Sequence, residues 1–515
     1  MNSKARSNRI CVVIRERDEA AVEAALQRPR NVAGFCEIRL DYLPGHQITP
    51  ANLCKWIKLA GTAVIVTLRR TANGGEFGGD EAEQISILKS ILHCGAAYFD
   101  LEIETVENHL NGRLDLLRKG KARWIVSYHN FQETPADLSS VYHRLLACKP
   151  DVVKIATKAC TFADNFRLLD LSNEPKPSQT DLILVAMGEL GAYSRILGPS
   201  YGSLLTYASA EHGQESAPGQ LTAEELAKLY RIDEIQADTK IYGVIGYPIR
   251  HSLSPHIHNA CFQRFGLNAC YLPLAVPELS DLSARLKYFA GLSITIPHKV
   301  SILRYANRQD ETVHLTGAAN TLVIRQERIE AYNTDVAGVL TALREPIEKG
   351  IRHVTLLGTG GAARSAAVVL KQHQCQVNVL ARDREKAKAF ATEFGFAFDQ
   401  LSEASKFEGD LLINATSVGM FPRVDEIPVP SEAIRYRYVF DMVYNPLETR
   451  LLQAARSRAT VISGLEMFLG QAARQFELWT GQQAPLQLMR EVALARLEGP
   501  GGTPPNTNSL RGDSL

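Results

Sequence analysis

At 515 residues the chain is too long for one hydrophobic core and predicts two to four domains. Its 45% hydrophobic and 22% charged content is that of an ordinary globular protein, and a net charge of +1 gives no general electrostatic reason for nucleic acid or an anionic membrane as partner. The nine cysteines form no C-x-x-C pair or cluster, which speaks against a disulfide framework or a zinc site, and no apolar run reaches the roughly 18 residues of a membrane span.

The chain opens with a few polar residues and runs straight into strand-like sequence, without the apolar core of a secretory signal. With the scattered cysteines this predicts a reducing, cytoplasmic setting, or a plastid if a transit peptide has been removed. Eight strand-like runs follow: "RICVVIRER", "GFCEIRLDYL", "TAVIVTLR", "AAYFDLEIE", "RWIVSYHN", "DVVKIATKA", "DLILVAMGE" and "SLLTYAS". Helical patterns such as "DEAEQISILKSILHCG" and "DLSSVYHRLLAC" fill several of the gaps. Eight such units predict an α/β fold, a (β/α)8 barrel over 1–230, closed by a last helix in "LTAEELAKLYRIDEIQADTK" with a linker at 231–239.

Glu37, Arg39, Arg69, Glu102, His129 and Lys154 fall late in these runs or just after them, where barrel strands converge on an active-site mouth. Lys154 is flanked by β-branched and apolar residues. In a dry interior such an amine is uncharged and attacks a ketone, giving an iminium that acidifies the adjacent carbon. His129 suits a proton shuttle, Glu102 a partner for that histidine, and Arg195 in "GAYSRILGPSYGS" a bidentate grip on a carboxylate. Singly, each also has a structural reading, as a snorkelling lysine or a histidine held by hydrogen bonds.

The stretches "CEIRLDYL", "VTLRRTANGGEF", "FDLEIE", "VSYHNFQETP", "DVVKIAT", "GAYSRILG" and "ESAPGQL" resemble the type I 3-dehydroquinate dehydratases across this half. The resemblance implies that Lys154 forms a Schiff base, His129 moves protons and Glu102 supports it. It further implies that Glu37, Arg39, Arg69, Arg195, Ser216 and Gln220 bind or enclose the substrate.

From "KIYGVIGYP" the rhythm changes. A mixed α/β region over 240–340 precedes a strand, glycine turn, helix and strand in "RHVTLLGTGGAARSAAVVLKQHQCQVNVLARD". Strands at "DLLINAT", "YVFDMVY" and "ATVISG" complete a Rossmann-type sheet over 341–463, with returning helices at 464–497 and a disordered tail at 498–515. In "GTGGAA", Gly358, Gly360 and Ala363 satisfy G-x-G-x-x-A, and Gly361 and Ala362 open the helix toward a pyrophosphate. After the next strand, Arg382, with Arg384 or Lys386, suits a 2′-phosphate and favours NADP, whereas Asp383 between them opposes a phosphate if it points inward.

"GYPIRHSLSPHIHN" supplies Ser252 and Ser254, "LSITIPHK" Thr295 and Lys299, "GAANTLV" Asn320, and "YNTDVAG" Asp335. A lysine and an aspartate at a carbonyl can deliver the proton that accompanies a hydride; a structural ion pair is the other reading. Residues 240–497 resemble the shikimate dehydrogenases, also through "NATSVGM", "DMVYNP" and "SGLEMFLGQAARQFELWTG". The resemblance implies Lys299 and Asp335 as the catalytic pair and shikimate contacts from Ser252, Ser254, Thr295, Asn320, Tyr444 and Gln471. It puts Met442 and Gly464 near the nicotinamide of NADPH. The chain departs from the family where "ARD" stands for the frequent Asn-Arg-Thr.

The whole chain therefore resembles the bifunctional dehydratase–dehydrogenases, which implies 3-dehydroquinate and 3-dehydroshikimate as small-molecule substrates and requires no metal. A quinate-preferring dehydrogenase and a non-catalytic metabolite sensor are the competing readings. The sequence does not fix the oligomeric state, and a monomer is compatible with it.

Overall fold

The computed structural model describes residues 8–28, 32–118, 120–249 and 252–498, so the predicted tail lies, apart from Glu498, outside the described residues. Contacts divide the chain into two compact units. The first holds the chain to Lys240 with Pro248–Arg250 and Asn268–Ala284; the second holds Ile241–Tyr247, His251–Leu267 and the chain from Arg285 onward. Among the described residues no helix is long and apolar enough to cross a membrane.

The first unit contains the predicted eight parallel strands. They are β1 (Ile10–Ile14), β2 (Phe35–Arg39), β3 (Ala63–Thr67), β4 (Tyr98–Glu102), β5 (Arg123–Asn130), β6 (Val152–Lys158), β7 (Asp181–Met187) and β8 (Thr206–Ala208). They stand in the order β8-β1-β2-β3-β4-β5-β6-β7. The short β8 pairs with β1 along its length, Ile10 to Thr206 and Val12 to Ala208. Toward β7 the chain just before β8 is joined by the bridge between Leu182 and Ser203, in which the Leu204 N–H donates to the Leu182 carbonyl at 2.7 Å, and by the Leu184 N–H, which donates to Ser203 Oγ at 3.2 Å.

The outer helices cover one face of the ring and the packed interior the other, so β1 reads as an unbroken buried run. Asp80 and Asp137 cap the predicted helices Glu81–Ile91 and Leu138–Ala147 by accepting from backbone N–H groups of the first turn. The predicted last helix is present but short, helical over 223–229 with a π-type stretch at Glu225–Leu229, and it ends before Arg231, which takes a left-handed φ of 50°.

Strand alternation decides what enters the barrel. Cys11, Val13, Ile65, Tyr98, Ile125, Val152, Ile183 and Tyr207 pack together inside. Every second residue onward from these faces the same interior: Thr67 on β3, Asp100 and Glu102 on β4, Ser127 and His129 on β5, Lys154 on β6. The ladder sets Glu102 beside Ser127, Ser127 beside Lys154 and Lys154 beside Ile183.

In the second unit, β9 (Lys240–Gly246), β11 (Gly291–Ile294), β13 (Thr321–Arg325), β14 (Arg328–Tyr332) and β12 (Arg308–Gln309) lie side by side in that order; β10 (Ala269–Ala275) belongs to the segment grouped with the first unit. The nucleotide-type sheet consists of β15 (His353–Leu357), β16 (Gln376–Ala381), β17 (Ala397–Gln400), β18 (Gly409–Asn414), β19 (Tyr436–Asp441) and β20 (Thr460–Ile462). All pairs are parallel in the order β17-β16-β15-β18-β19-β20, a doubly wound sheet whose order reverses between β15 and β18.

Candidate active sites

Inside the barrel, Lys154 is 5% exposed and its Nζ donates to Asp100 Oδ2 at 2.6 Å, with Glu37 Oε1 at 3.9 Å. The ammonium lies 4.5 Å from the centre of the Tyr207 ring. The surroundings are therefore not the apolar ones that the flanking residues suggest, because β2 and β4 send the Glu37 and Asp100 carboxylates inward.

Asp100 is the functional residue that the sequence reading passes over. It also accepts from Arg69 Nη2 at 3.0 Å and from Ser127 Oγ at 2.6 Å. Burial opposes its ionisation, but Lys154 and Arg69 outweigh burial and hold its carboxyl below the usual range. The signal was available: in "YFDLE" two acids stand two residues apart, so one strand sends both to the same face.

Arg69 stands between the two predicted partners Glu102 and His129. Its Nη1 lies 2.6 and 2.9 Å from the two ring nitrogens of His129 and 4.0 Å from Glu102 Oε1. Burial, then Arg69 and Lys154, hold His129 well below its ordinary value, so the imidazole is uncharged at neutral pH. Burial raises the Glu102 carboxyl, whose Oε2 accepts from Gln84 at 2.8 Å. Glu37 accepts from Thr67 at 2.7 Å. Arg39 is held bidentately by Asp41 at 2.9 and 2.7 Å.

Arg195 is the contrasting cation. It is 1% exposed, Nη2 donates to the Pro218 carbonyl at 3.3 Å, and Nε has no partner. Burial pulls its guanidinium down to about 10. Beyond Pro218, Ser216 donates through N–H and Oγ to Gln220 Oε1 at 2.7 and 3.1 Å, which ties these two predicted residues together.

The second unit brings a separate group together. Lys299 Nζ donates to Asp335 Oδ2 at 2.6 Å, and Asn320 Nδ2 donates to Oδ1 of the same carboxylate at 2.8 Å. Asn320 is oriented by the Thr334 N–H, which donates to its Oδ1 at 2.7 Å, and its Nδ2 lies 3.5 Å from Gln471 Oε1. Thr295 N–H donates to the Ile245 carbonyl, which seats this residue beside the end of β9. Ser254 opens the helix Ser254–Arg264, and its N–H donates to Ser252 Oγ at 3.3 Å. Tyr444 stacks on Phe468 at 4.5 Å, and burial pushes its phenol up to about 12.

Gly358 follows β15 at φ +103°, a conformation that suits glycine, and the helix Gly361–Gln372 starts directly after Gly360. A Cβ on Gly361 would lie 3.3 Å from Lys299 Cδ, so the Lys299–Asp335 pair borders the dinucleotide turn. A Cβ on Gly464 would stand 2.5 Å from the Met442 carbonyl oxygen, and this close approach requires glycine. Asp383 caps the helix Arg384–Phe394, accepting from Glu385 and Lys386 N–H at 3.0 and 3.1 Å, so its charge is committed to the helix N-terminus. Arg384 lies over the Phe398 ring at 5.3 Å, Lys386 is 3.8 Å from Asp383, and Arg382 is exposed.

The type I 3-dehydroquinase family matches residues 10–237, the shikimate dehydrogenase substrate binding domain residues 244–322, and the shikimate 5′-dehydrogenase C-terminal domain residues 464–494. A chloroplastic bifunctional 3-dehydroquinate dehydratase/shikimate dehydrogenase of Arabidopsis thaliana is 35% identical over 486 residues, covering 89% of this chain and 80% of its own. A shikimate dehydrogenase (NADP(+)) of Thermococcus kodakarensis is 42% identical over 268 residues, 50% of this chain and 97% of its own. A crystal structure of shikimate dehydrogenase in complex with NADP+ is 36% identical with a TM-score of 0.48, covering 51% of this chain and 97% of that one. With both halves matched and the Arabidopsis relative aligned through both, the chain belongs to the family of bifunctional 3-dehydroquinate dehydratase/shikimate dehydrogenases.

Proposed function

We propose that the barrel dehydrates 3-dehydroquinate through a Schiff base on Lys154, and that the second unit reduces the resulting 3-dehydroshikimate to shikimate with NADPH, using Lys299 and Asp335. The observation that carries this reading is that each unit holds a lysine 2.6 Å from a buried aspartate, inside a site with further polar groups aimed at it.

In the barrel, Lys154 condenses with the substrate ketone: two of its ammonium protons leave with the carbonyl oxygen as water, and the third stays on the iminium. The iminium acidifies the neighbouring carbon, and the uncharged His129 accepts that proton. The β-hydroxyl departs as water with a returned proton, and hydrolysis of the imine frees both the enone and Lys154. Asp100 positions Lys154 and Arg69, and Arg69 in turn positions His129. Arg195 offers a buried positive charge to the substrate carboxylate.

NADPH, when bound, supplies the hydride. The residues present fit that group: a Cβ on Gly360 would meet nothing within 4 Å, leaving open space over the turn. Gly358, Gly360, Gly361 and Ala362 would hold the pyrophosphate, Arg382 with Arg384 and Lys386 the 2′-phosphate, and Met442 and Gly464 the nicotinamide end. Lys299, held by Asp335, protonates the carbonyl oxygen as it gains charge. Ser252, Ser254, Thr295, Asn320, Tyr444 and Gln471 are the groups assigned to shikimate's hydroxyls and carboxylate.

The test supplies the purified full chain with 3-dehydroquinate and NADPH, following nicotinamide absorbance and identifying shikimate by chromatography. Borohydride added during turnover should trap a substrate adduct on Lys154. Shikimate formation without any trapped adduct would overturn the Schiff-base assignment, and silence even with 3-dehydroshikimate would overturn the reductase.

A further inference from the structure

Among the described residues, one group of three metal-ligating side chains converges: Cys54, His93 and Cys94, whose ligand atoms all lie within 4.8 Å of one another. The chain order conceals it, since Cys54 and Cys94 are 40 positions apart. Cys54 lies in the helix Pro50–Ala60; His93 and Cys94 form the 3-10 turn Leu92–Cys94 that ends the helix Glu81–Ile91. These are elements of the outer helical layer, and none of the three side chains takes part in the dehydration chemistry. Both thiols are free and partly buried, His93 is exposed, and Cys94 Sγ donates to the Pro50 carbonyl at 3.2 Å.

We propose that Cys54, His93 and Cys94 form a site for a zinc ion, with water as the fourth ligand. Two sulfurs and one imidazole select a thiophilic, tetrahedral ion over magnesium or calcium. Tetrahedral bonds of about 2.3 Å to sulfur and about 2.0 Å to nitrogen bring the ligands to about 3.5–3.8 Å of one another. From 4.8 Å, closure takes at most about 1.3 Å, within reach of side-chain rotation. Only three protein ligands leave one position open, and the exposed imidazole gives the ion a path from solvent. Bound metal would tie the helix Pro50–Ala60 to the end of the helix Glu81–Ile91. Because both thiols must lose their protons, uptake strengthens with rising pH.

The test titrates reduced, metal-free full-length protein with cobalt(II), reading the thiolate-to-cobalt charge-transfer band, and then displaces the cobalt with zinc. One equivalent should bind, with loss of the band in Cys54→Ser and in Cys94→Ser and its retention in Cys160→Ser. Zinc should raise the thermal midpoint of the wild type and leave that of the Cys54→Ser/Cys94→Ser double variant unmoved. Both enzymatic activities should persist in these variants, which also demonstrates that they fold. The absence of a saturable band, or a band that survives both serine substitutions, would overturn the site. So would a Cys54–Cys94 disulfide forming in place of metal binding in protein kept under reductant.

Discussion

Replacing Arg195 with methionine separates what this side chain does for the reaction from what it does to the fold. The guanidinium is 1% exposed, and burial pulls it from the ordinary arginine value down to about 10. At about 1.4 kcal/mol per pH unit, keeping the charge inside destabilises the barrel by about 3 kcal/mol at any pH below 10. The sign follows from linkage: a base with a lowered value in the folded state binds its proton more tightly when unfolded. Methionine has similar reach and no charge, and it forfeits one hydrogen bond to the Pro218 carbonyl, worth about 1 kcal/mol. The ligand-free variant should therefore gain about 2 kcal/mol. The assay is chemical denaturation followed by tryptophan fluorescence, to which the barrel contributes Trp56 and Trp124. Dehydration should fall roughly 10²–10³-fold in kcat/KM, because the substrate carboxylate loses its buried partner, while reduction of 3-dehydroshikimate persists. A barrel that unfolds earlier than wild type, or one that dehydrates normally, would refute the reasoning.

Asp335→Asn keeps an acceptor for Asn320 but removes the charge that holds Lys299, so kcat for reduction should fall roughly 10²–10⁴-fold with little change in KM; a pure KM effect in steady-state assays would reassign the residue to binding. Arg382→Ala should raise KM for NADPH roughly 10–100-fold and leave NADH unaffected, since only NADPH carries the 2′-phosphate; equal losses with both cofactors would place phosphate recognition elsewhere. His258, fully buried, is brought down to about 3 by burial, with Gln475 opposing. The stability that goes with its uncharged state is complete above 6.5 and is lost as pH falls from there toward 3. Denaturation midpoints at pH 7 and pH 5 should show a loss of about 2 kcal/mol in the second unit, absent in His258→Gln. An identical pH dependence in that variant would remove His258 from the account.

Much of this architecture was legible because strands buried on both faces carry a strong local signal. All eight barrel runs correspond to observed strands, and the Rossmann-type turn stands where "GTGGAA" predicts it. Short or exposed elements gave less to read. The edge strand β17 (Ala397–Gln400) has no buried residue and escaped the sequence reading, and the last barrel helix is present but stops short of Arg231, a left-handed residue. Within the sites, residue types were readable but pairings were not. "RRTANGG" does not reveal that Arg69 passes between Glu102 and His129, a geometry that depends on three strands at once. The opposite sign of Asp383 beside Arg382 looked like a conflict in one dimension, yet the backbone resolves it by using the acid as a helix cap.

The junction of β7 and β8 makes the barrel a ring with one weak link. Elsewhere neighbouring strands share ladders of three to seven residue pairs, but here a single bridge and one bond from the Leu184 N–H to Ser203 Oγ span the gap. Breathing motions begin where the fewest hydrogen bonds must break, so the amides of Thr206–Ala208 should exchange with solvent through a smaller opening than those of β5 and β6. Tyr207, whose ring supports the Lys154 ammonium, lies on that yielding strand. Lys154 thus sits on a strand laddered on both sides, to β5 and β7, while the ring that faces its amine belongs to the weakly joined β8.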